Sequence, residues 1–480
     1  MARPRFLLVT YSAHGHINPS LHFANRLASA AGADITFVTT VKGHRHMAKA
    51  AGRELDPETK TPNGSVISLA PFSDGYDDGF KPGDDLDHYL SEFRRCGTQA
   101  ITDHVVSARN DGRPYSCVVY TILLPWAGLA ADELQIPSVL LWIQPAMVLD
   151  IYYYYFHGYG DIIRENIKRH PPSKTTLPGL SLEFTRRDLP SFMDPADTYS
   201  FAIPLLQEQF EILEKKNKPR VLINTFYDLE AEALRAVSDH LILIGIGPLI
   251  PLALEEKEPS DRSPEKYIEW LNSNPKTSVV YVSFGSMSVL AKPQMEEVAK
   301  GLLEFGRPFL WVVREKVKND TEKDQNDKDE DELSCREELD KLGMIVPWCS
   351  QMEVLSNESV GCFLTHCGWN STLESLASGV PMVAFPQWTD QGTNAKLIEE
   401  VWKTGVRLKP NEDGIVRSED IKRCLDLVMG GKENGVELRR NAKKWKDLAR
   451  EALKEGGSSD RNLKAFVKEV IGEGPKCLLE

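Results

Sequence analysis

Residues 361–375 read GCFLTHCGWNSTLES, and this stretch decides how the chain is built. GCFLTH is an apolar run of buried-strand type, Cys367 and Gly368 make a turn, and Trp369 and Asn370 lead into a helix. Leu373, Leu376 and Ala377 form that helix's buried stripe up to Gly379, and Ser371 and Glu374 have capping-box spacing. A strand that turns through glycine into a helix N-terminus exposes backbone N–H groups and the positive end of the helix dipole, which together favour a phosphate. His366, Asn370 and Ser371 add side-chain donors at the same place. Capping accounts for Ser371 and Glu374 alone; the remaining polar residues point to a ligand.

Working outward, the strand-then-helix alternation continues on both sides. RFLLVTY (5–11), the loop SAHGHINP, a helical pattern closed by Gly32 and the run DITFVTTV form a βαβ unit. Further strand-type runs are CVVYTILL (117–124), SVLLWI (138–143) and RVLINTF (220–226), then SVVYVSFGS (278–286), PFLWVV (308–313) and PMVAFP (381–386). The pattern predicts two doubly wound α/β domains with parallel sheets. Between about 245 and 276 the chain turns rich in Pro and charge, as a linker does. The SFGS turn is a second phosphate-compatible place: Gly285 lets the backbone come close and Ser286 offers a hydroxyl. Neither turn is GxGxxG or GxxxxGK[ST].

At 480 residues the chain exceeds one core and suits two domains of ~200–250 residues. A formal net charge of −13 argues against a nucleic-acid surface or an anionic membrane as partner. No N-terminal run is long enough for a signal peptide or a spanning helix, and eight Cys show no disulfide framework, so a cytoplasmic protein without membrane insertion is expected. Cys349, Cys362, His366 and Cys367 lack a CxxC pair and read as buried thiols and a donor rather than zinc ligands. Residues 316–334, nearly all polar or charged, read as a mobile surface loop, and no metal site is expected in their Asp-x-Asp spacings.

From Trp348 to Gln391 the chain reads WCSQMEVLSNESVGCFLTHCGWNSTLESLASGVPMVAFPQWTDQ, which resembles the signature box of plant family-1 UDP-glycosyltransferases, the secondary-product glucosyltransferases. HGHINP, the SFGS turn and the length are also similar to that family. The resemblance implies the GT-B architecture, two Rossmann-like doubly wound parallel-sheet domains facing a cleft. Its boundaries would be 1–245 for acceptor binding, 246–276 for the linker and 277–459 for the UDP-sugar, with a C-terminal helix at about 460–480 packing back on the first domain. It implies that Trp348 stacks on uracil, that Gln351 and Glu374 hold the ribose, that His366, Asn370, Ser371 and Ser286 bind the diphosphate, and that Trp369, Asp390 and Gln391 bind the sugar. UDP-glucose is then a co-substrate, with no cofactor and no metal, and the protein is expected to act as a monomer on a small-molecule aglycone.

The same resemblance places the catalytic base at His16, just before the first helix. A neutral imidazole suits proton removal from an acceptor hydroxyl, whose oxygen would displace UDP with inversion to a β-glucoside. Where most members orient that His with an Asp, this chain has Thr121. A Thr hydroxyl can fix the imidazole's tautomer but does not stabilise imidazolium as a carboxylate does. The expected acceptor is therefore one that loses its proton readily: a phenol, in the flavonoid and anthocyanin O-glucosyltransferase branch, or a carboxylic acid, giving a glucose ester. IYYYYFHGYG (151–160) supplies five Tyr and a Phe near Trp142 and Gln144, and Trp142, Gln144, Tyr152 and Tyr155 are the acceptor-contact candidates, with the other rings in the core. A nucleotide-sugar binding protein without catalysis is the alternative of another class. A glycoside hydrolase would need paired carboxylates and no nucleotide site, and a dehydrogenase a Gly-rich first turn.

Overall fold

The computed structural model describes residues 3–52, 54–81, 83–168, 173–251, 266–314 and 333–472. Most of the expected linker (252–265), nearly all of the expected acidic loop (315–332) and the end of the expected C-terminal helix (473–480) lie outside the described residues. The chain divides into two compact units, residues 1–250 with 451–480, and residues 251–450.

The first unit carries an eight-stranded sheet: β1 (Arg5–Val9), β2 (Asp34–Thr40), β3 (Glu58–Lys60), β4 (Val66–Phe72), β5 (Cys117–Thr121) and β6 (Ser138–Trp142). A small ribbon of β7 (Thr175–Thr176) and β8 (Glu183–Phe184) intervenes, and β9 (Arg220–Ile223) and β10 (Ile242–Gly245) complete the sheet. The order is β10-β9-β6-β5-β1-β2-β4-β3. All pairings are parallel except β3 against β4, at the edge, where the exposed ETK segment costs no core contact. Parallel strands covered by helices on both faces must be apolar throughout, which is why FLLV and CVVYT are buried at every position. Each Leu, Val or Phe so buried contributes roughly 1.5–3 kcal/mol from its removal from water. The helix Ser458–Val470 belongs to this unit: Phe466 packs on Phe6 with ring centroids 6.1 Å apart, and Asn462 Nδ2 donates to the Gly245 carbonyl at 2.7 Å.

The second unit has a six-stranded, wholly parallel sheet. Its strands are β11 (Val279–Ser283), β12 (Phe309–Val312), β13 (Met344–Val346), β14 (Val360–Thr365), β15 (Met382–Ala384) and β16 (Gly405–Arg407). The order is β13-β12-β11-β14-β15-β16, and its core gathers Val280, Val282, Trp311, Leu364, Val383 and Leu425.

Both sheets reverse direction of winding at one place, between β1 and β5 in the first and between β11 and β14 in the second. At such a point the connections leave to opposite faces, so the carboxyl ends of the two central strands open a crevice where ligands bind. Thr121 ends β5 and His16 follows β1; SFGS follows β11 and HCGWNS follows β14. His16, Thr121, Ser286, His366, Asn370 and Ser371 thus fall at the two positions where this topology can hold a ligand.

Candidate active site

In the second unit the site is built on the turn after β14. Thr365 ends the strand, and its Oγ1 accepts from the Cys367 N–H at 3.1 Å. Cys367 is fully buried at φ 65°, a left-handed conformation costly for a non-glycine residue and of the kind that gathers at functional sites. The helix Trp369–Ser378 starts at once, with Gly368 as its N-cap and no side-chain cap. This corrects the capping-box expectation. Ser371 and Glu374 lie inside the helix, and both are held by Gln351 instead, whose Nε2 donates to Ser371 Oγ at 2.7 Å and to Glu374 Oε2 at 2.6 Å. With no side-chain cap on Gly368, the helix start is of the kind whose backbone N–H groups and dipole attract an anion.

His366 is pinned from two sides. A Cβ added at Gly285 or at Gly368 would fall 2.5 Å from His366 Nε2, so both turns need glycine for the imidazole to sit there, and Gly285 also has φ +76°. Burial lowers the His366 pKa to about 4, against a hydrogen bond to the Ser283 backbone, so the ring is neutral at pH 7. Ser286, next to Gly285, is half-buried, and its carbonyl accepts from Arg314 Nη1 at 3.0 Å. Asn370 is half-buried at the second position of the helix.

Trp348 is 49% exposed, an unusual state for an indole and one that leaves a flat face for a base. Burial raises the Glu374 carboxyl to about 7 and that of Asp390 to about 6. Asp390 accepts from Asn394 Nδ2 at 2.9 Å, and the same nitrogen donates to the Cys367 carbonyl at 2.8 Å, tying the two turns together. Gln391 Oε1 accepts from the backbone N–H groups of Gln387 and Trp388 at 2.9 and 3.1 Å, so only its Nε2 end can serve a sugar. Trp369 differs from expectation: its ring is buried, tilted on Trp402 at 5.9 Å, so its side chain is part of the core and its place at the helix start is what remains for a ligand. Sequence reading missed Tyr281, Thr365 and Asn394, whose polar groups hold the site residues. The only signal was a buried hydroxyl or amide in an otherwise apolar run.

In the first unit His16 lies in the first turn of the helix His14–Ala31 rather than in the loop before it, because the chain is extended only as far as Ala13. Burial lowers its pKa to about 4, and its Nδ1 has no hydrogen-bond partner among the described residues. Tyr11, another residue that sequence reading passed over, packs its ring on His16 with centroids 5.2 Å apart. Thr121 Oγ1 accepts from the Tyr11 N–H at 3.3 Å, and so supports the residue beneath the imidazole rather than the imidazole itself.

The acceptor candidates separate. Trp142 is fully buried, its Nε1 donating to the Pro145 carbonyl at 2.9 Å, and it meets the buried Tyr152 edge to face at 6.3 Å. Both belong to the core, a correction that follows from strand and helix periodicity turning these two rings inward. Gln144 is half-buried. Tyr155 is half-buried, with Arg164 donating to its hydroxyl at 3.1 Å and lying over its ring. The helix Ala146–Tyr154 stops there, because a wider turn at Tyr155–Tyr159 contains non-helical His157 and Gly158. Among the described residues no three His, Cys, Asp or Glu side chains converge as metal ligands do, and no helix is long and apolar enough to cross a membrane.

Two α/β units built on parallel sheets, each with polar side chains at its winding reversal, give the GT-B class of fold. A family model described as UDP-glucoronosyl and UDP-glucosyl transferase matches residues 252–446. The chain is 60% identical to a phloretin 4'-O-glucosyltransferase of Malus domestica, with 98% of each covered. It is 49% identical to an anthocyanidin 3-O-glucoside 5-O-glucosyltransferase of Verbena hybrida, with 98% of this chain and 100% of that one covered. The crystal structure of Os79 from O. sativa in complex with U2F and trichothecene matches with a TM-score of 0.78 at 33% identity, over 97% of this chain and 100% of that one. The chain belongs to the plant family-1 UDP-glycosyltransferases and is a UDP-glucosyltransferase.

Proposed function

We propose that this enzyme transfers glucose from UDP-glucose to a phenolic hydroxyl of a plant small molecule, with inversion, and that His16 takes the proton. The observation that carries this reading is the neutral imidazole of His16, a half-buried residue at the winding reversal of the first sheet, with its buried Nδ1 unengaged among the described residues. As the phenolic oxygen attacks the anomeric carbon, its proton passes to the imidazole and the bond to UDP breaks. The departing diphosphate takes up negative charge, which the N-terminus of the helix Trp369–Ser378, Ser286, Asn370 and Ser371 would stabilise without a metal. Trp348 would carry the uracil, Gln351 and Glu374 the ribose, and Asp390 and Gln391 the sugar hydroxyls. Residues 1–245 would then be the acceptor domain and 277–459 the donor domain, of a monomer working in the cytoplasm. The Malus domestica and Verbena hybrida relatives are both O-glucosyltransferases, which favours a phenolic acceptor.

A second reading, glucose-ester formation on a carboxylic acid, is favoured by Thr121. With no carboxylate to stabilise imidazolium, a base of low pKa works best on an acceptor already ionised at pH 7. The test is to incubate the protein with UDP-glucose and a panel of phenols and carboxylic acids without added metal, then treat each product with mild alkali. Alkali-stable products are expected. Alkali-labile ones would make the ester reading correct, and UDP release without any glycoside would reject both.

A further inference from the structure

We propose that Tyr281 is a positioning residue for the nucleotide end of the donor site, acting through the side-chain amide of Gln351; this rests on the donor role proposed above for Gln351 and Glu374. Tyr281 lies in β11, fully buried, with its ring stacked on Phe363 of β14 at 4.7 Å. Its hydroxyl donates to Gln351 Oε1 at 3.2 Å. The other end of that amide, Nε2, donates to both Ser371 Oγ and Glu374 Oε2. The oxygen and nitrogen ends of a Gln side chain have nearly the same shape, so only hydrogen-bond partners decide which way it faces. Ser371 and Glu374 both act on the nitrogen, and among the described residues the Tyr281 hydroxyl alone supplies a donor to the oxygen.

The consequence is a three-link chain from the floor of the sheet to the ligand side of the helix Trp369–Ser378. A rigid ring between two central strands fixes a hydroxyl, the hydroxyl fixes an amide, and the amide holds the Ser and the Glu together. Cys349 Sγ lies 3.5 Å from the Tyr281 hydroxyl oxygen and completes its surroundings. Removing the hydroxyl would leave Gln351 Oε1 without its donor and the amide anchored at one end only.

The test is a double-mutant cycle with Tyr281→Phe, Gln351→Leu and both together, reading UDP affinity by calorimetry, KM for UDP-glucose, kcat and melting temperature. Tyr281→Phe should weaken UDP binding and raise KM by about fivefold, the loss expected of one hydrogen bond, with kcat changed by less than about twofold. In the Gln351→Leu background the same change should have no further effect. Cys349→Ala, which removes packing around the hydroxyl and leaves its bond to Gln351, should bind UDP as the wild type does. An equal loss from Tyr281→Phe in both backgrounds, an equal loss from Cys349→Ala, or no loss at all would overturn the proposal. Failure of the wild type to bind UDP would instead overturn the donor-site reading on which it rests.

Discussion

The donor side and the catalytic side of this enzyme are built in different ways. In the second unit, nine of the ten donor candidates lie between Trp348 and Gln391, on one strand–turn–helix and its immediate neighbours. Local chain geometry brings His366, Asn370, Ser371 and Glu374 together, and Gln351 joins them through a contact twenty residues away. In the first unit, His16 lies in the first turn of a helix and Thr121 ends β5, and the aromatic run at 151–160 is divided between core and surface by a helix and the wide turn that breaks it. The same residue types mean different things in the two places. A half-exposed Trp348 leaves a ring face open to a ligand, whereas the fully buried Trp142 is part of the core.

The largest effect that would test this contrast is His16→Ala. It should lower kcat by about 10²–10⁴, as loss of a general base does, and leave UDP affinity as it was, since the residue serves the other half of the reaction. A matching loss of UDP affinity would show that the two halves are not separable by residue.

Next in size is Glu374→Gln, which should weaken UDP binding by about tenfold or more, as expected for a hydrogen bond to a charged group. The pH dependence has a definite sign. Burial raises the Glu374 carboxyl to about 7 in the unliganded protein, so wild-type UDP affinity should fall as pH is lowered from 8 to 6, and the fall should be smaller in the variant, where Asp390 is the raised carboxyl that remains at this site. A raised acid pKa stabilises the fold fully below the unfolded value of 4.5 and ceases to do so as pH rises through 7. Glu374→Gln should therefore melt higher than wild type at pH 8, with the gap closing toward pH 4, as scanning calorimetry would show.

Thr121→Asp should act more selectively. A carboxylate beside the Tyr11–His16 pair would stabilise imidazolium and raise kcat/KM for weakly acidic phenols by about tenfold, and much less for carboxylic acids. Equal changes for both acceptor classes would remove the link between Thr121 and acceptor acidity. The smallest functional effect belongs to Trp142→Phe. Loss of the hydrogen bond to Pro145 and of core volume should lower the melting temperature by about 2–6 °C and leave acceptor KM unchanged. A raised KM would return Trp142 to the acceptor site.

Several elements were not legible before folding. Met344–Val346 and Gly405–Arg407 are three-residue strands, too short for a period to appear, and the exposed edge segment Glu58–Lys60 has no apolar signal. The helix cap was misread because Ser371 and Glu374 have the right spacing, yet Gly368 starts the helix three residues earlier and Gln351, twenty residues upstream of Ser371, takes the side chains. Buried positioning groups such as Tyr281 and Asn394 resemble ordinary strand and helix residues until their partners are placed beside them.

The sequence by itself determined the two α/β units and the strand–turn–helix around residues 361–379, because apolar periodicity and a contiguous turn encode both within short windows; the donor candidates came from the family resemblance. It also named His16 and exposed Thr121 as a departure. Only the tertiary structure decided which aromatic rings are core, that Thr121 meets the Tyr11 backbone rather than His16, and that Gln351 links Tyr281 to Ser371 and Glu374. Those outcomes depend on contacts between segments 20 to 110 residues apart, and no local pattern specifies which distant partner a buried polar group will find.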